Sequence, residues 1–278
     1  MNKQQYYRHL AIQKLFWNPI GFQVLQLFRS LERRVENVAF NRSIHSDTNG
    51  EHWLLSCLPE KAVIVDIGFY QGDFTQMALK IRPKSHVLSI DPARSAATYY
   101  QKKFGNDPRV SFYSAAIAEQ SGTQTFYDYG NMSSSLEVRS DMHPGELPIE
   151  TYDVEVVPVD EIAHRAGVDH IDLLKIDAEG FDFHCLCGAA SLMRQNSIGL
   201  VMFEYANGWI CSRRFLRDAA ELLKSVNYGL YRLFNGFIVP VSYDSDQERF
   251  DLATMYVAMS NSNPLPSVRV RHIKTLMA

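Results

Sequence analysis

The sequence predicts an α/β protein: an open, mostly parallel sheet flanked by helices, preceded by an N-terminal helical extension. Three observations carry that prediction. From residue 62 onward, apolar runs of strand length alternate with segments whose apolar residues recur at helical spacing. Many of the runs are nearly continuous in Val, Ile and Leu, the composition of strands covered on both faces, as parallel sheets are. Residues 1–40, in contrast, read as helix. Ligands of such a sheet gather at the carboxyl ends of its strands, so the residues closing each run are the first candidates for function.

In chain order, Asn18 and Pro19 suit a helix cap and first turn. After them Val24, Leu27, Phe28, Leu31, Val35 and Val38 recur at 3.6-residue spacing, with Arg29, Arg33 and Arg34 on the other side. That describes one amphipathic helix of roughly twenty residues. Two readings fit residues 1–58. They form a cap or lid packed on the main domain or on a twin subunit, or their basic, aromatic-rich character (Tyr6, Tyr7, Arg8, Lys14, Phe16, Trp17) rests them on an anionic membrane surface.

Residues 59–278 form the main domain. "AVIVDIG" is a buried strand, Phe74, Met77, Ala78 and Ile81 stripe a helix, "HVLSID" is a second strand, and Ala97, Tyr100 and Phe104 stripe a second helix. "RVSFYSAAI", "GTQTFYDY" and "DVEVVPVD" supply further strands. "IDLLKID" follows as a strand, Phe183, Leu186, Cys187 and Ala190 as a helix face, and "IGLVMFE" as another strand. A helix striped by Leu216, Ala219, Ala220 and Leu223 precedes the closing strands "YGLYRLF" and "ATMYVAM". Residues 129–151 break the alternation with a long polar connection. Connections of that length are usually functional or disordered, and this one is expected to face the substrate through Ser134 and His143.

With 278 residues, 46% hydrophobic and 21% charged, the chain can bury a full core. A net charge of −3 and a pI near 6.3 create no field that gathers polyanions, so no nucleic-acid partner is expected. Cys57, Cys185, Cys187 and Cys211 are too sparse for a disulfide framework and lack paired zinc spacing. With no signal peptide and no apolar run of roughly 18 residues, a cytoplasmic location is expected.

The chemistry concentrates in two stretches. In "DIGFYQGDF", Gly68 and Gly72 let the backbone approach a ligand, and the helix that follows turns its free amides toward it. The spacing is not the GxGxxG of a dinucleotide site, which argues against a nicotinamide-dependent oxidoreductase. Asp66 would repel a pyrophosphate and attract a cation. Asp91 closes the second strand 19 positions after Gly72, where an acid can accept both hydroxyls of a ribose. A nucleoside with a cationic amino-acid tail satisfies both acids, and S-adenosylmethionine is such a molecule. Ala115 and Ala116, after the third strand, would lie against its adenine.

In "IDLLKIDAEGFD", Asp177 ends a strand, Glu179 begins the next turn, and Lys175 lies on the strand face of Asp177, placed either to pair with it or to point at the ligand. Such acids can deprotonate or orient a hydroxyl nucleophile, or hold a divalent metal. The sequence does not require a metal. If one binds, Asp177, Glu179 and Glu204 are the oxygen ligands to expect; Glu204, ending "LVMFE" on the same edge, is also expected to contact the substrate. His45, His143, His170 and His184 are alternative bases by their titration range. His184, Cys185 and Cys187 point in different directions on a helix and make no metal site.

"DIGFYQGDFT", "IDP", "SAAIAEQSGTQTFY", "SSSL" and above all "IDLLKIDAEGFDFHCLCGA" followed by "LVMFE" resemble the FkbM family of S-adenosylmethionine-dependent methyltransferases, over roughly residues 60 to 205. The resemblance implies a Rossmann-like class I methyltransferase with a seven-stranded sheet, and O-methylation of a sugar, glycolipid or related metabolite. It implies Asp66, Gly68 and Gly72 in the cofactor loop, Asp91 on the ribose, and Asp177 and Glu179 beside the transferred methyl. Where the family commonly carries alanine and asparagine after the first glycine, this chain has Phe69 and Tyr70, expected to narrow the cofactor pocket or stack on the ligand. A catalytically weak scaffold of the same fold in a glycan-assembly complex is the alternative.

Overall fold

The computed structural model describes residues 3–39, 46–131, 133–139, 147–250 and 253–272. Helices α1 (Lys3–Phe16), α2 (Pro19–Ala39), α3 (Ser46–Asn49) and α4 (Glu51–Ser56) come first. Asn18 caps α2 as expected, its side-chain Oδ1 accepting from the Gly21 N–H at 2.9 Å. Alternation then begins with β1 (Val63–Ile67), α5 (Asp73–Ile81), β2 (His86–Ile90), α6 (Arg94–Phe104) and β3 (Val110–Tyr113). The short β4 (Ala116–Ile117), β5 (Gly122–Asp128), β6 (Glu150–Val157) and α7 (Val159–Ala166) follow. The second half holds β7 (Ile171–Ile176), α8 (Asp182–Gly188), α9 (Ala190–Arg194), β8 (Ile198–Tyr205), α10 (Gly208–Cys211) and α11 (Leu216–Ser225). It ends with β9 (Tyr228–Phe234), β10 (Phe237–Pro240) and β11 (Thr254–Ser260).

The main sheet has eight strands in the order β10-β9-β11-β8-β7-β1-β2-β3. From β3 to β8 every pairing is parallel, and β11, β9 and β10 run antiparallel at the far edge. Seven strands were expected; the eighth is β10. It arises from a tight hairpin in which Phe234 pairs Phe237 across Asn235 and Gly236, Gly236 adopting φ +96°. Asn-Gly between apolar runs is a strong hairpin signal.

A second difference concerns "RVSFYSAAI", which is two strands. The chain leaves the edge of β2 after Tyr113, and Ala116–Ile117 pairs instead with β6. β4, β6 and β5 thereby make a separate three-stranded sheet, in which residues 129–149 are the connection between antiparallel β5 and β6.

Ile64, Val65, Val87, Leu88, Leu173, Leu174, Leu200 and Val201 are fully buried along the central strands, as their continuous apolar character requires. Leu54 and Leu55 of α4 are equally buried, so α4 packs with the main domain's core although it lies within residues 1–58. α1 and α2 instead carry a large share of exposed apolar side chains. No helix among the described residues is long and apolar enough to cross a membrane. The four cysteines are free thiols.

Candidate active site

A cavity opens at the carboxyl ends of the parallel strands, where the crevice rule locates ligands. Its floor comes from the loops after β1 and β2 (Ile67, Gly68, Tyr70, Asp91, Pro92, Ala93), and one wall from Ala115, Ala116 and Ile117. Asn131, Ser134, Ser135 and Leu136 of the β5–β6 connection form a second wall, and Asp177, Ala178, Glu179 and Phe181 the third.

Asp91 sits at the cavity with both carboxylate oxygens anchored, Oδ2 accepting from the Tyr70 N–H at 2.7 Å and Oδ1 from the Ala93 N–H at 2.8 Å. Burial pushes its carboxyl up to about 6 even against those two hydrogen bonds. Gly68 is required sterically as well as conformationally. At φ +82°, a Cβ there would stand 1.8 Å from the Asp177 carbonyl oxygen, so only glycine lets the β1 loop lie against the β7 loop. Gly72 begins α5 at φ +80° but serves packing, since a Cβ there would strike the Phe69 ring.

Two expectations for the cofactor loop need correction. Asp66 does not reach the cavity: it is fully buried, takes a hydrogen bond from Thr75 Oγ1 at 2.7 Å, and lies 3.4 Å from Lys175 Nζ. The parallel register of β1 and β7 sets Asp66 directly beside Lys175, so its cation is internal. Phe69 turns away from the ligand side into an aromatic cluster, its ring centroid 5.9 Å from that of Phe104 and 5.4 Å from that of Phe112. It therefore neither narrows the pocket nor stacks on a ligand. Tyr70 does line the cavity, in a left-handed conformation (φ +47°) that non-glycine residues seldom adopt outside turns and functional sites.

Of the two readings for Lys175, the structure shows the pairing with Asp177 and not a side chain aimed at a ligand. Its ammonium lies 3.3 Å from Asp177 Oδ2 as well as 3.4 Å from Asp66. Burial opposes its charge, but Asp177, Asp66 and Glu51 together outweigh that and raise its pKa, so it serves as a fixed cation that positions Asp177. Neither Thr75, which donates to Asp66, nor Glu51, whose charge acts on Lys175, was singled out in the sequence, because helical residues give no sign of which strand they will pack against.

Glu179 borders the cavity at φ +51°. Burial and the Asp177 carboxylate push its carboxyl up to about 7, against the opposing pull of Arg139, whose Nη1 lies 2.6 Å from Glu179 Oε2. Arg139 itself is nearly buried. No periodicity pointed to it, since it lies in the irregular connection. Asp182 was also missed: its two oxygens accept from the Ala178 and Gly180 N–H groups at 3.0 and 2.9 Å, folding the 177–182 turn so that both acids face inward.

Ser134 lines the cavity, while its hydroxyl also ties the turn through Asp128 Oδ1 and the Tyr129 N–H. Glu204 is not at the cavity wall, because β8 stands one strand beyond β7. Burial and the carboxylates of Asp177, Glu179 and Asp182 hold its carboxyl well above the usual range. Among the described residues no three His, Cys, Asp or Glu side chains converge as a metal site, so Asp177, Glu179 and Glu204 are not assembled as a ligand set. His184 stacks on Phe181 and contacts Glu119, and His170 lies beside Asp172; neither lines the cavity. His45 and His143 lie outside the described residues.

The arrangement joins an acid suited to vicinal hydroxyls, a wall of small apolar residues, and a near-neutral carboxyl in one cavity. Among known proteins the chain is similar to the 2-O-methyltransferase NoeI of Sinorhizobium fredii, at 25% identity over 214 residues, 72% of this chain and 87% of NoeI. A methyltransferase FkbM structure from Methylobacillus flagellatus aligns at 15% identity with a TM-score of 0.45, covering 73% of this chain and 47% of that one. The precorrin-6y C5,15-methyltransferase of Geobacter metallireducens aligns at 11% identity with a TM-score of 0.41, covering 76% and 86%. The family model of the methyltransferase FkbM domain matches residues 66–230, more than half of the chain. The protein therefore belongs to the FkbM family of methyltransferases.

Proposed function

We propose that this cavity binds S-adenosylmethionine and that the protein methylates a hydroxyl of a sugar, glycolipid or related metabolite. The observation that carries the reading is one cavity with Asp91 at the end of β2 and Asp177 and Glu179 beyond the end of β7. The residues present fit the cofactor. Asp91 is braced by two backbone amides as an acceptor for ribose hydroxyls, Gly68 exposes backbone at the floor, and Ala115, Ala116 and Ile117 offer a flat apolar wall to a base. S-adenosylmethionine, when bound, supplies an activated methyl group.

Glu179 takes the proton of the acceptor hydroxyl. A carboxyl near 7 is matched to proton abstraction at neutral pH, strong enough as a base and still partly ionised. Arg139 keeps it oriented, and Lys175 holds Asp177 beside it, where Asp177 can accept a hydrogen bond from the acceptor. Asn131 and Ser134 on the β5–β6 connection present polar groups to the same space. The family membership and the likeness to a 2-O-methyltransferase support hydroxyl methylation. Of the two aromatics that motivated an inactive scaffold, Phe69 packs away from the cavity and Tyr70 lines it, leaving Asp91, Asp177 and Glu179 in the same open space.

The test is transfer of isotopically labelled methyl from S-adenosylmethionine onto panels of glycans, nucleotide sugars and lipid extracts, beside calorimetry with S-adenosylhomocysteine. Labelled O-methyl product is the expected result. Absence of both cofactor binding and transfer overturns the reading.

A further inference from the structure

We infer that α1 and α2 form a docking surface for an anionic lipid bilayer, lying in its interface rather than crossing it. On α2, Ile20, Val24, Leu27, Leu31 and Val35 follow one another at three- and four-residue steps, which places them on one face. That face looks outward: Ile20 is 73% exposed, Leu27 71%, Leu31 58% and Val35 60%. Phe28 extends the stripe, and Leu15 and Trp17 continue it across the junction with α1, Trp17 being 70% exposed. Soluble monomers rarely leave a continuous apolar strip of this kind uncovered.

Charge identifies the occupant. Residues 1–39 contain Lys3, Arg8, Lys14, Arg29, Arg33 and Arg34 against Glu32 and Glu36, a net of +4. The whole chain carries −3, which leaves −7 on the remainder, so positive charge is segregated onto the segment bearing the apolar stripe. Pairing two copies through this segment would set +4 against +4. A bilayer with anionic headgroups satisfies both features at once, because its acyl boundary takes the apolar side chains while its surface attracts the basic ones. Exposed Tyr6, Tyr7 and Trp17 are of the residue types that favour the boundary between headgroups and hydrocarbon. The charged residues of α2 exclude a spanning orientation, in keeping with the absence of a spanning helix among the described residues.

The experiment is flotation of the full chain with vesicles, a readout independent of methyl transfer. Vesicles of phosphatidylcholine with about 30 mol% phosphatidylserine should retain roughly tenfold or more protein than phosphatidylcholine alone. The difference should shrink at about 0.5 M salt, where the Debye length falls to a few ångströms. The double substitution Leu27→Glu, Leu31→Glu, at exposed positions, should lower binding by about tenfold or more while leaving far-ultraviolet dichroism and cofactor affinity unchanged. Equal retention by both vesicles, or none by either, overturns the inference. So does a dimer by light scattering that the same double substitution splits, which would assign the stripe to a second copy.

Discussion

Replacing Asp91 by alanine separates two roles that the structure gives one carboxylate. Without ligand, the side chain accepts hydrogen bonds from the Tyr70 and Ala93 amides at 2.7 and 2.8 Å, so its loss leaves both donors without that partner. Each orphaned amide costs about 1 to 3 kcal/mol. Part of this is offset, because the carboxylate is itself costly to bury, as its elevation to about 6 indicates. A net loss of about 2 kcal/mol is expected, a fall in Tm of roughly 4 to 8 °C for a domain of this size. With ligand, the lost charge-assisted bonds to ribose hydroxyls weaken affinity by about 1.5 to 3 kcal/mol, or roughly 10- to 150-fold in Kd. Calorimetry with S-adenosylhomocysteine and thermal unfolding of the free protein read the two effects apart. The carboxyl is raised, so it becomes protonated as pH falls through about 6 and loses its strength as an acceptor. The wild-type Kd should therefore rise between about pH 7.5 and 5.5, and the variant should show no such limb. If Asp91→Ala lowers Tm but binds S-adenosylhomocysteine as tightly as the wild type, Asp91 only braces the loop and the ribose assignment fails.

Glu179→Gln should slow methyl transfer about a hundredfold or more with cofactor affinity unchanged; undiminished turnover would move the base to Asp177. Because Glu179 works ionised, the wild-type rate should rise with pH through about 7, and Arg139→Gln, which removes the cation that favours ionisation, should displace that rise to higher pH. A profile that stays in place would separate Arg139 from the base. Lys175→Met should destabilise the fold by about 3 to 5 kcal/mol by leaving Asp66 buried without its cation, and adding Asp66→Asn should recover much of the loss. Denaturant titration measures both, and full additivity of the two changes would refute the pairing. Gly68→Ala should cost about 3 kcal/mol or more, because it combines a left-handed backbone with a direct clash on Asp177; a normal midpoint would contradict the loop contact.

The alternation of strands and helices, the α2 cap at Asn18, and the placement of Asp91, Asp177 and Glu179 at strand ends were all legible in the linear sequence. They depend on periodicity and on residues next to one another, which the chain states directly. The pairing of Lys175 with Asp177 was legible, two residues apart on one strand face; its pairing with Asp66 was not. Lys175 and Asp66 each lie one residue before the end of their strand, and only the parallel register of β1 with β7 turns a supposed cofactor contact of Asp66 into an internal ion pair. Phe69 is another case: in sequence it follows the first glycine of the loop, but the space between α6 and β3 draws its ring away from the cavity. Arg139 comes from an aperiodic connection, and its contact with Glu179 spans 40 positions, a closure no local pattern encodes. The sequence by itself therefore determined the element types and which edge of the sheet bears the acids, because those follow from local spacing. Which acids face the ligand, and which neutralise a buried lysine, was decided only by tertiary structure, because pairing across strands brings distant charges together and burial makes leaving any of them unpaired too costly.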